Sequence, residues 1–273
     1  MAAINPSGRG NARSLTAPRG RDETLAGRIR QGLPAGEFCV AFQPVVHAQS
    51  FQLLNVECLL RWQHPDYGLL LPECFMSAFD DAQTAREVSH FMLESVCRQL
   101  ADMQRAGRVA PHAAINIQPV QLLDDGFAAT VRATAQRHGI DPSLLELELV
   151  ATEDASTLLS TQAFTRPLRQ LGVRLALNDF GSGYSPLAML GAAQIDTVKL
   201  ARAFLANVPA SARACTVMTA LLDMLDALHM RVVVEGVESE AQLRWLSARP
   251  EVYVQGYHVA RPQAKLADAL VLN

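Results

Sequence analysis

Residues 173–187 read VRLALNDFGSGYSPL, an apolar run of Val, Leu and Ala that stops at Asn178-Asp179 and passes into a glycine-rich loop. A strand of this composition aims polar side chains out of the carboxyl end of a sheet, where α/β proteins assemble their sites. Gly181 and Gly183 give the following loop freedom to turn sharply or to approach a ligand closely. An aspartate at the tip would hold a hard cation such as Mg²⁺ through oxygen. Position 178 carries an asparagine instead, and its neutral carbonyl oxygen cannot bridge two metal ions as a carboxylate does. An Asn-Asp pair is also an ordinary turn signal, so the rest of the chain has to decide.

Outward from that stretch, strand-like and helix-like segments alternate. Residues 39–46 (CVAFQPVV) and 53–60 (LLNVECLL) are apolar runs with single polar insertions, and 85–107 has helical character. Next come a strand at 113–117 (AAINI), a helix at 127–138, and 144–150 (LLELELV) with strict alternation. A helix over 163–171 precedes the opening strand, and a strand follows at 197–200 (TVKL). A long helix at 216–228 leads to strands at 232–235 (VVVE) and 252–254. About eight strands interleaved with helices predict an α/β barrel of the (β/α)8 type.

Composition sets the remaining bounds. A chain of 273 residues with 49% hydrophobic content buries one large core, and barrels of this length are ordinarily single domains. Residues 1–20 mix Gly, Pro, Ser and Arg with few bulky apolar side chains, which predicts a flexible leader; residues 21–273 are expected to form the one domain. The formal net charge of −3 supplies no basic field for nucleic-acid backbones, so direct DNA binding is not expected. Five cysteines without CxxC spacing predict reduced thiols. No apolar run approaches a membrane span and no signal-peptide layout opens the chain, which predicts a cytoplasmic protein with no membrane contact.

A polar residue that an apolar strand does not need sits near the end of nearly every strand: Glu57, Asn116, Glu148, Asn178 with Asp179, Lys199, Glu235 and Gln255. A barrel converges such ends on one face and builds a ring of oxygen ligands with one ammonium, a layout for metal and phosphate. Singly, each has a plain account. Glu57 reads as an exposed strand residue, Asn116 as a turn cap and Lys199 as a solvated edge; Glu146 and Glu148 share one strand face and look solvent-facing. Their recurrence in strand order is what points to a site.

The strings FQPVV, ECLLRWQHPDYG, INIQ, LELEL, NDFGSGYSPL, VKL, VEGVE and QGY, taken in order from about Leu25 to Pro262, resemble the EAL domain family. Its members are Mg²⁺- or Mn²⁺-dependent phosphodiesterases acting on the bacterial messenger cyclic di-GMP. The resemblance implies a modified TIM (β/α)8 barrel of the EAL type with one antiparallel strand. It places Glu57, Asn116, Glu148, Asn178 and Asp179 at metal-ligand positions, with Asp179 and Glu235 serving the second metal and its water. Lys199 would orient the attacking water or neutralise phosphate, which makes Lys199, Glu235 and Asp179 the catalytic positions, and Gln255 would stand behind the ligands. Gln43 and Arg61 would meet the dinucleotide, Arg61 through phosphate, and Glu238 would contact a guanine edge.

The chain departs from the family pattern at four places. Where active members carry Asp-Asp-Phe-Gly, with the first Asp bridging both metals, this chain reads Asn178-Asp179-Phe180-Gly181. Where they carry a Glu that pins the glycine-rich loop, counting from both sides puts Ala151, so the loop 181–185 is expected to have lost its anchor; Glu153 is out of register. Ile-Asp-Arg-Ser after the lysine becomes Leu200-Ala201-Arg202-Ala203. Glu57-Cys58-Leu59 replaces Glu-Ala-Leu, a swap that a small apolar Cys makes nearly silent.

The resulting expectation is a degenerate regulatory protein that acts on gene expression indirectly, by repression of virulence or motility genes as stand-alone members of this kind do. It would work through bound cyclic di-GMP or a regulatory protein partner. The alternative is an active but slow phosphodiesterase that retains Mg²⁺ or Mn²⁺ and yields linear pGpG. By resemblance, the helix from Ala188 onward is where family members dimerise, so a homodimer is possible.

Overall fold

The computed structural model describes residues 24–183 and 187–272, without the side chain of Glu153. The expected leader at 1–20 and the end of the glycine-rich loop lie outside the described residues.

The described residues form nine strands and nine α-helices, with five short 3-10 helices among them. The strands are β1 (Phe38–His47), β2 (Leu53–His64), β3 (Gly68–Leu70), β4 (Ala113–Ile117), β5 (Leu145–Val150), β6 (Arg174–Phe180), β7 (Thr197–Leu200), β8 (Arg231–Val234) and β9 (Val252–Val254). The helices are α1 (Leu25–Gly32), α2 (Ala82–Arg105), α3 (Phe127–His138), α4 (Glu153–Leu159), α5 (Gln162–Arg169), α6 (Leu187–Leu190), α7 (Ala212–Ala227), α8 (Glu240–Leu246) and α9 (Leu266–Ala269).

The sheet runs β1-β9-β8-β7-β6-β5-β4-β2-β3, and β1 also pairs with β2, which closes eight strands into a ring and leaves β3 outside it. Strand β1 is antiparallel to both β2 and β9, while the other neighbours around the ring are parallel. The fold is therefore the modified barrel with one antiparallel strand that the sequence predicts. Its reason is local: β1 and β2 are joined by a tight turn at Ala48–Gln52 with no room for a crossover helix, so they must pair as a hairpin.

Alternation along each strand sorts the side chains. On β6, Leu175 and Leu177 are buried against the surrounding helices, while Ala176 and Asn178 point the other way, into the barrel. On β5, Leu145, Leu147 and Leu149 face outward into the core and Glu146 and Glu148 face the lumen, each about 1% exposed. The shared face of Glu146 and Glu148 is thus not a solvent face, as alternation suggested. A closed sheet has no wet side within, and the same period-2 pattern that marks a solvated edge also marks a polar lumen.

The lower end of the barrel is plugged by one polar layer. Glu146 accepts from Asn55 Nδ2 at 2.8 Å and from Thr197 Oγ1 at 2.9 Å, with the Arg231 guanidinium 4.0 Å away. Beside the barrel, α1 is tied to β1 and β2: Arg28 pairs with Glu37 at 2.7 Å and the Trp62 indole donates to Glu37 at 2.9 Å. Trp62 stacks on Phe38, with ring centroids 4.9 Å apart.

Candidate active site

Strand register, antiparallel between β1 and β2 and parallel from β4 to β6, brings the upper polar layer together. Gln43 lies opposite Glu57, Asn116 opposite Glu148, and Val150 opposite Asn178. Glu235 and Gln255 follow directly after β8 and β9. All of the strand-end residues named from the sequence except Asp179 are joined in one hydrogen-bonded cluster, and Asp179 borders it.

Lys199 is its centre. The ammonium, 1% exposed, lies 2.9 Å from Glu57 Oε2, 2.9 Å from Glu148 Oε2 and 2.8 Å from Glu235 Oε1, which satisfies its donors. Burial alone would pull the Lys199 pKa down, yet the three carboxylates together carry it well above its ordinary value. Burial pushes Glu148 well above the usual carboxylate range; Lys199 opposes this while Glu57 and Glu146 add to it. Burial also raises Glu235, against the pull of Lys199. Glu57 goes the other way: burial opposes ionisation, but the Lys199 charge and bonds from Lys199, Gln255 and Asn116 hold its carboxyl below the ordinary value.

The amides fill the gaps between these charges. Asn116 Nδ2 donates to Glu57 Oε1 at 3.0 Å, and Gln255 Nε2 donates to Glu57 Oε2 at 2.8 Å and to Gln43 Oε1 at 3.3 Å. Asn178 is used on both ends. Its Oδ1 accepts from the Asp179 backbone N–H at 2.8 Å, and its Nδ2 donates to Asn116 Oδ1 at 3.0 Å and to Glu148 Oε2 at 3.2 Å. Turning the amide over would set oxygen against oxygen at Asn116 and Glu148 and nitrogen against N–H at Asp179, so the network fixes its orientation.

The backbone at this point is shaped for the turn. Asp179 has φ +55°, a conformation that a short polar side chain tolerates, and the β6–β7 register slips between Leu177 and Phe180. Gly181 has φ +89°, and a Cβ there would fall 2.2 Å from the Phe204 ring, so glycine is required. The Ala151 N–H donates to the Asn178 carbonyl at 2.9 Å. This puts Ala151 at the foot of the loop, as its register predicts, with only a methyl group to offer.

Above the layer lies an open groove of about 440 Å³, lined by Gln43, Glu57, Glu73, Asp179, Arg202, Glu235, Glu238 and Tyr257 among others. Gln43 Nε2 donates to the Ala260 carbonyl at 3.0 Å. Glu238 is exposed at the rim. Arg61 is half-buried, bonds the Leu60 carbonyl at 2.8 Å, and has Glu73, Tyr257 and Glu57 among the groups acting on its charge. Its guanidinium is therefore already engaged within the protein. Glu73, Arg202 and Tyr257 escape a search for strand-end residues because they lie off the strands, Glu73 and Arg202 on short 3-10 helices and Tyr257 in a turn. Asn55 could have been found, two residues before Glu57 on the same strand face.

A divalent cation does not fit this arrangement. The donor set is rich in hard oxygens, and Glu148 Oε1 is buried without a hydrogen-bond partner. Yet Asn178 presents an N–H where a ligand must present a lone pair, and the Lys199 ammonium holds the carboxylates of Glu57, Glu148 and Glu235. Among the described residues, no group of three or more His, Cys, Asp or Glu side chains is arranged to hold a metal ion.

The EAL domain model matches residues 26–262 of the chain. The protein belongs to the EAL domain family. Among curated relatives of this EAL protein, the cyclic di-GMP phosphodiesterase NbdA of Pseudomonas aeruginosa is 33% identical over 261 residues, covering 93% of this chain and 33% of NbdA. The probable cyclic di-GMP phosphodiesterase PdeN of Escherichia coli is 31% identical over 234 residues, 86% of this chain and 45% of PdeN. The EAL chain thus spans less than half the length of either relative. Among solved structures, the PaMucR phosphodiesterase in its c-di-GMP complex superposes with a TM-score of 0.80 at 29% identity, covering 90% of this chain and 99% of that one.

Proposed function

We propose that this chain is a cyclic di-GMP-responsive EAL regulator with an impaired hydrolytic centre, acting on gene expression indirectly through the bound nucleotide or a protein partner. Repression of virulence or motility genes is the expected outcome. The observation that carries the reading is the Asn178 amide, which donates into Asn116 and Glu148 where an intact site would need a bridging anion. The loss of a carboxylate at Ala151 supports it, because the glycine-rich loop then lacks its anchor.

Binding is supported by what remains. Gln43 and Glu238 line the groove, and with Arg61 they would serve as a recognition set for a dinucleotide, Arg61 acting as the phosphate contact once it exchanges its internal bond for the ligand. NbdA, PdeN and PaMucR are each described by action on this nucleotide or a complex with it. No helix among the described residues is long and apolar enough to cross a membrane; together with the net charge this supports a cytoplasmic protein that does not contact DNA directly.

A second reading, a slow metal-dependent phosphodiesterase giving linear pGpG, is favoured by the unpartnered Glu148 Oε1 and the persistence of Glu57, Asn116, Asp179, Lys199 and Glu235. In that case Mg²⁺ or Mn²⁺ would have to displace the Lys199 contacts. Titrating labelled cyclic di-GMP into the protein in excess EDTA separates the readings. The regulatory reading predicts saturable binding that Arg61→Ala weakens; binding that requires Mn²⁺ would favour the slow enzyme, and no binding under either condition would sink nucleotide sensing.

A further inference from the structure

A second polar groove lies beside α5. Gln162, Thr165, Arg166, Arg169 and Gln170 recur at i, i+3, i+4, i+7 and i+8 and so share one side of the helix. With Gln194, from the turn before β7, they line a space of about 310 Å³, at the lower end of what small-molecule sites occupy. No Asp or Glu among the described residues lines it, although acidic residues outnumber Lys and Arg in the chain by 27 to 24.

The walls are held in place by named bonds. The Gln194 N–H donates to the Leu159 carbonyl at 3.0 Å, and the Gln194 carbonyl accepts from Arg169 Nη1 at 3.2 Å. Arg169 also forks onto Asp196, Nη1 to Oδ2 at 3.1 Å and Nη2 to Oδ1 at 3.4 Å, and Asp196 Oδ2 accepts from the Leu175 N–H at 2.9 Å. This sets the groove beside the feet of β6 and β7, away from Asn178 and Lys199 toward their upper ends. A guanidinium has five N–H donors, so these three bonds leave Arg169 two to offer. Arg166 is exposed and forms no ion pair among the described residues. Thr165 is 1% exposed, and its hydroxyl oxygen has no hydrogen-bond partner, an arrangement that costs stability unless something else completes it.

We propose that this groove binds a small phosphorylated molecule, with the phosphate held between Arg166 and Arg169. Its oxygens accept from the two guanidiniums, the Thr165 hydroxyl and the carboxamides of Gln162, Gln170 and Gln194. Donors arriving from several sides suit a tetrahedral oxyanion better than a planar carboxylate. The carboxamide oxygens are acceptors in turn and can hold hydroxyl groups on the body of the ligand. Two arginines answer one phosphate group, whereas a nucleic-acid backbone needs a longer basic stripe that a chain of net charge −3 does not supply. Asp196 offsets part of the charge of Arg169, so phosphate alone binds with a Kd on the order of 1 mM. The site is separate from the groove above the polar layer and does not rest on the functional reading given for it.

Calorimetric titration of inorganic phosphate into the full chain, with NaCl holding the ionic strength constant, tests this. Saturable binding at one site is expected. Arg166→Ala should raise the Kd at least about tenfold, the scale of one charge-assisted hydrogen bond. Thr165→Val, which keeps the side-chain shape and removes only the hydroxyl, should weaken phosphate binding without lowering the melting temperature of the free protein. Arg132→Ala, at an exposed arginine on α3, should leave the affinity unchanged. Heat that does not saturate, or that NaCl alone reproduces, overturns the proposal. So does an affinity that Arg166→Ala or Thr165→Val leaves intact, or one that Arg132→Ala lowers as much as Arg166→Ala.

Discussion

Replacing Asn178 by Asp should expose how the lumen is held together. The substitution removes two donated bonds, to Asn116 Oδ1 at 3.0 Å and to Glu148 Oε2 at 3.2 Å. A neutral bond contributes about 1 kcal/mol and one to a charged group about 2 kcal/mol, so the loss is about 3 kcal/mol. Burial already holds the Glu148 carboxyl well above the usual carboxylate range, so it can take up a proton and soften the repulsion of the new carboxylate. The lost bonds therefore set the scale. For a domain of this size each kcal/mol moves the melting temperature by about 2–4 °C, which predicts a fall of about 6–12 °C in EDTA. The new carboxylate also completes an anionic donor set, so Mn²⁺ at about a hundred times its Kd should return about 2.7 kcal/mol to the variant. Scanning calorimetry with EDTA or Mn²⁺ reads both effects, and the wild type should not respond to Mn²⁺. A variant that melts with the wild type in EDTA, or a wild type that Mn²⁺ stabilises as much as the variant, would refute the reasoning.

Further outcomes follow from the same contacts. Lys199→Met leaves the carboxylates of Glu57, Glu148 and Glu235 without their ammonium, and urea unfolding should show a loss of about 3–5 kcal/mol. The Glu37 carboxyl is held below its ordinary value of 4.5, first by the Arg28 hydrogen bond and then by the Trp62 indole and the Arg28 charge, with burial opposing. Because the folded pKa is the lower one, the stability this pairing adds is fully present above pH 4.5 and is lost as pH falls through the folded value. Acid unfolding of Glu37→Gln should accordingly converge with wild type below that window; a gap that stays constant with pH contradicts the assignment. Burial pushes the Cys97 thiol up to about 12 and Cys58 well above its ordinary value. Both should resist iodoacetamide in the folded protein at pH 8 and label on unfolding, as peptide mass mapping would show.

Much of the fold was legible because period-2 runs with flanking turn residues survive in the sequence. The strands at 113–117, 197–200 and 252–254 and the helix at 127–138 coincide with the observed elements. Boundaries drift where tertiary pairing extends an element: β2 runs on to His64 because β3 pairs with its far end, and β6 continues through Asn178 to Phe180. The three-residue β3 gives too short a pattern to be seen. Glu235 belongs just after its strand, since Gly236 takes φ +71° and breaks the extended run.

The site was legible as a set of residues but not as a network. Sequence order alone brings Glu57, Asn116, Glu148, Asn178, Lys199, Glu235 and Gln255 to one end of a barrel. That Lys199 would contact Glu57, Glu148 and Glu235 at once, or that Asn178 would spend its nitrogen on Asn116 and Glu148, depends on register across strands far apart in the chain. Glu146 illustrates the limit, because only closure of the ring decides whether its strand face is wet or enclosed.

The central claim, a retained groove over an impaired hydrolytic centre, is tested most directly by following linear product from cyclic di-GMP with excess Mn²⁺, wild type beside the Asn178→Asp, Ala151→Glu variant. The account predicts wild-type turnover at least about three orders of magnitude below an intact site, equivalent to about 4 kcal/mol of barrier, and measurable recovery in the variant. Linear product from the wild type at about 1–1,000 per second, the ordinary range for enzymes, would contradict it.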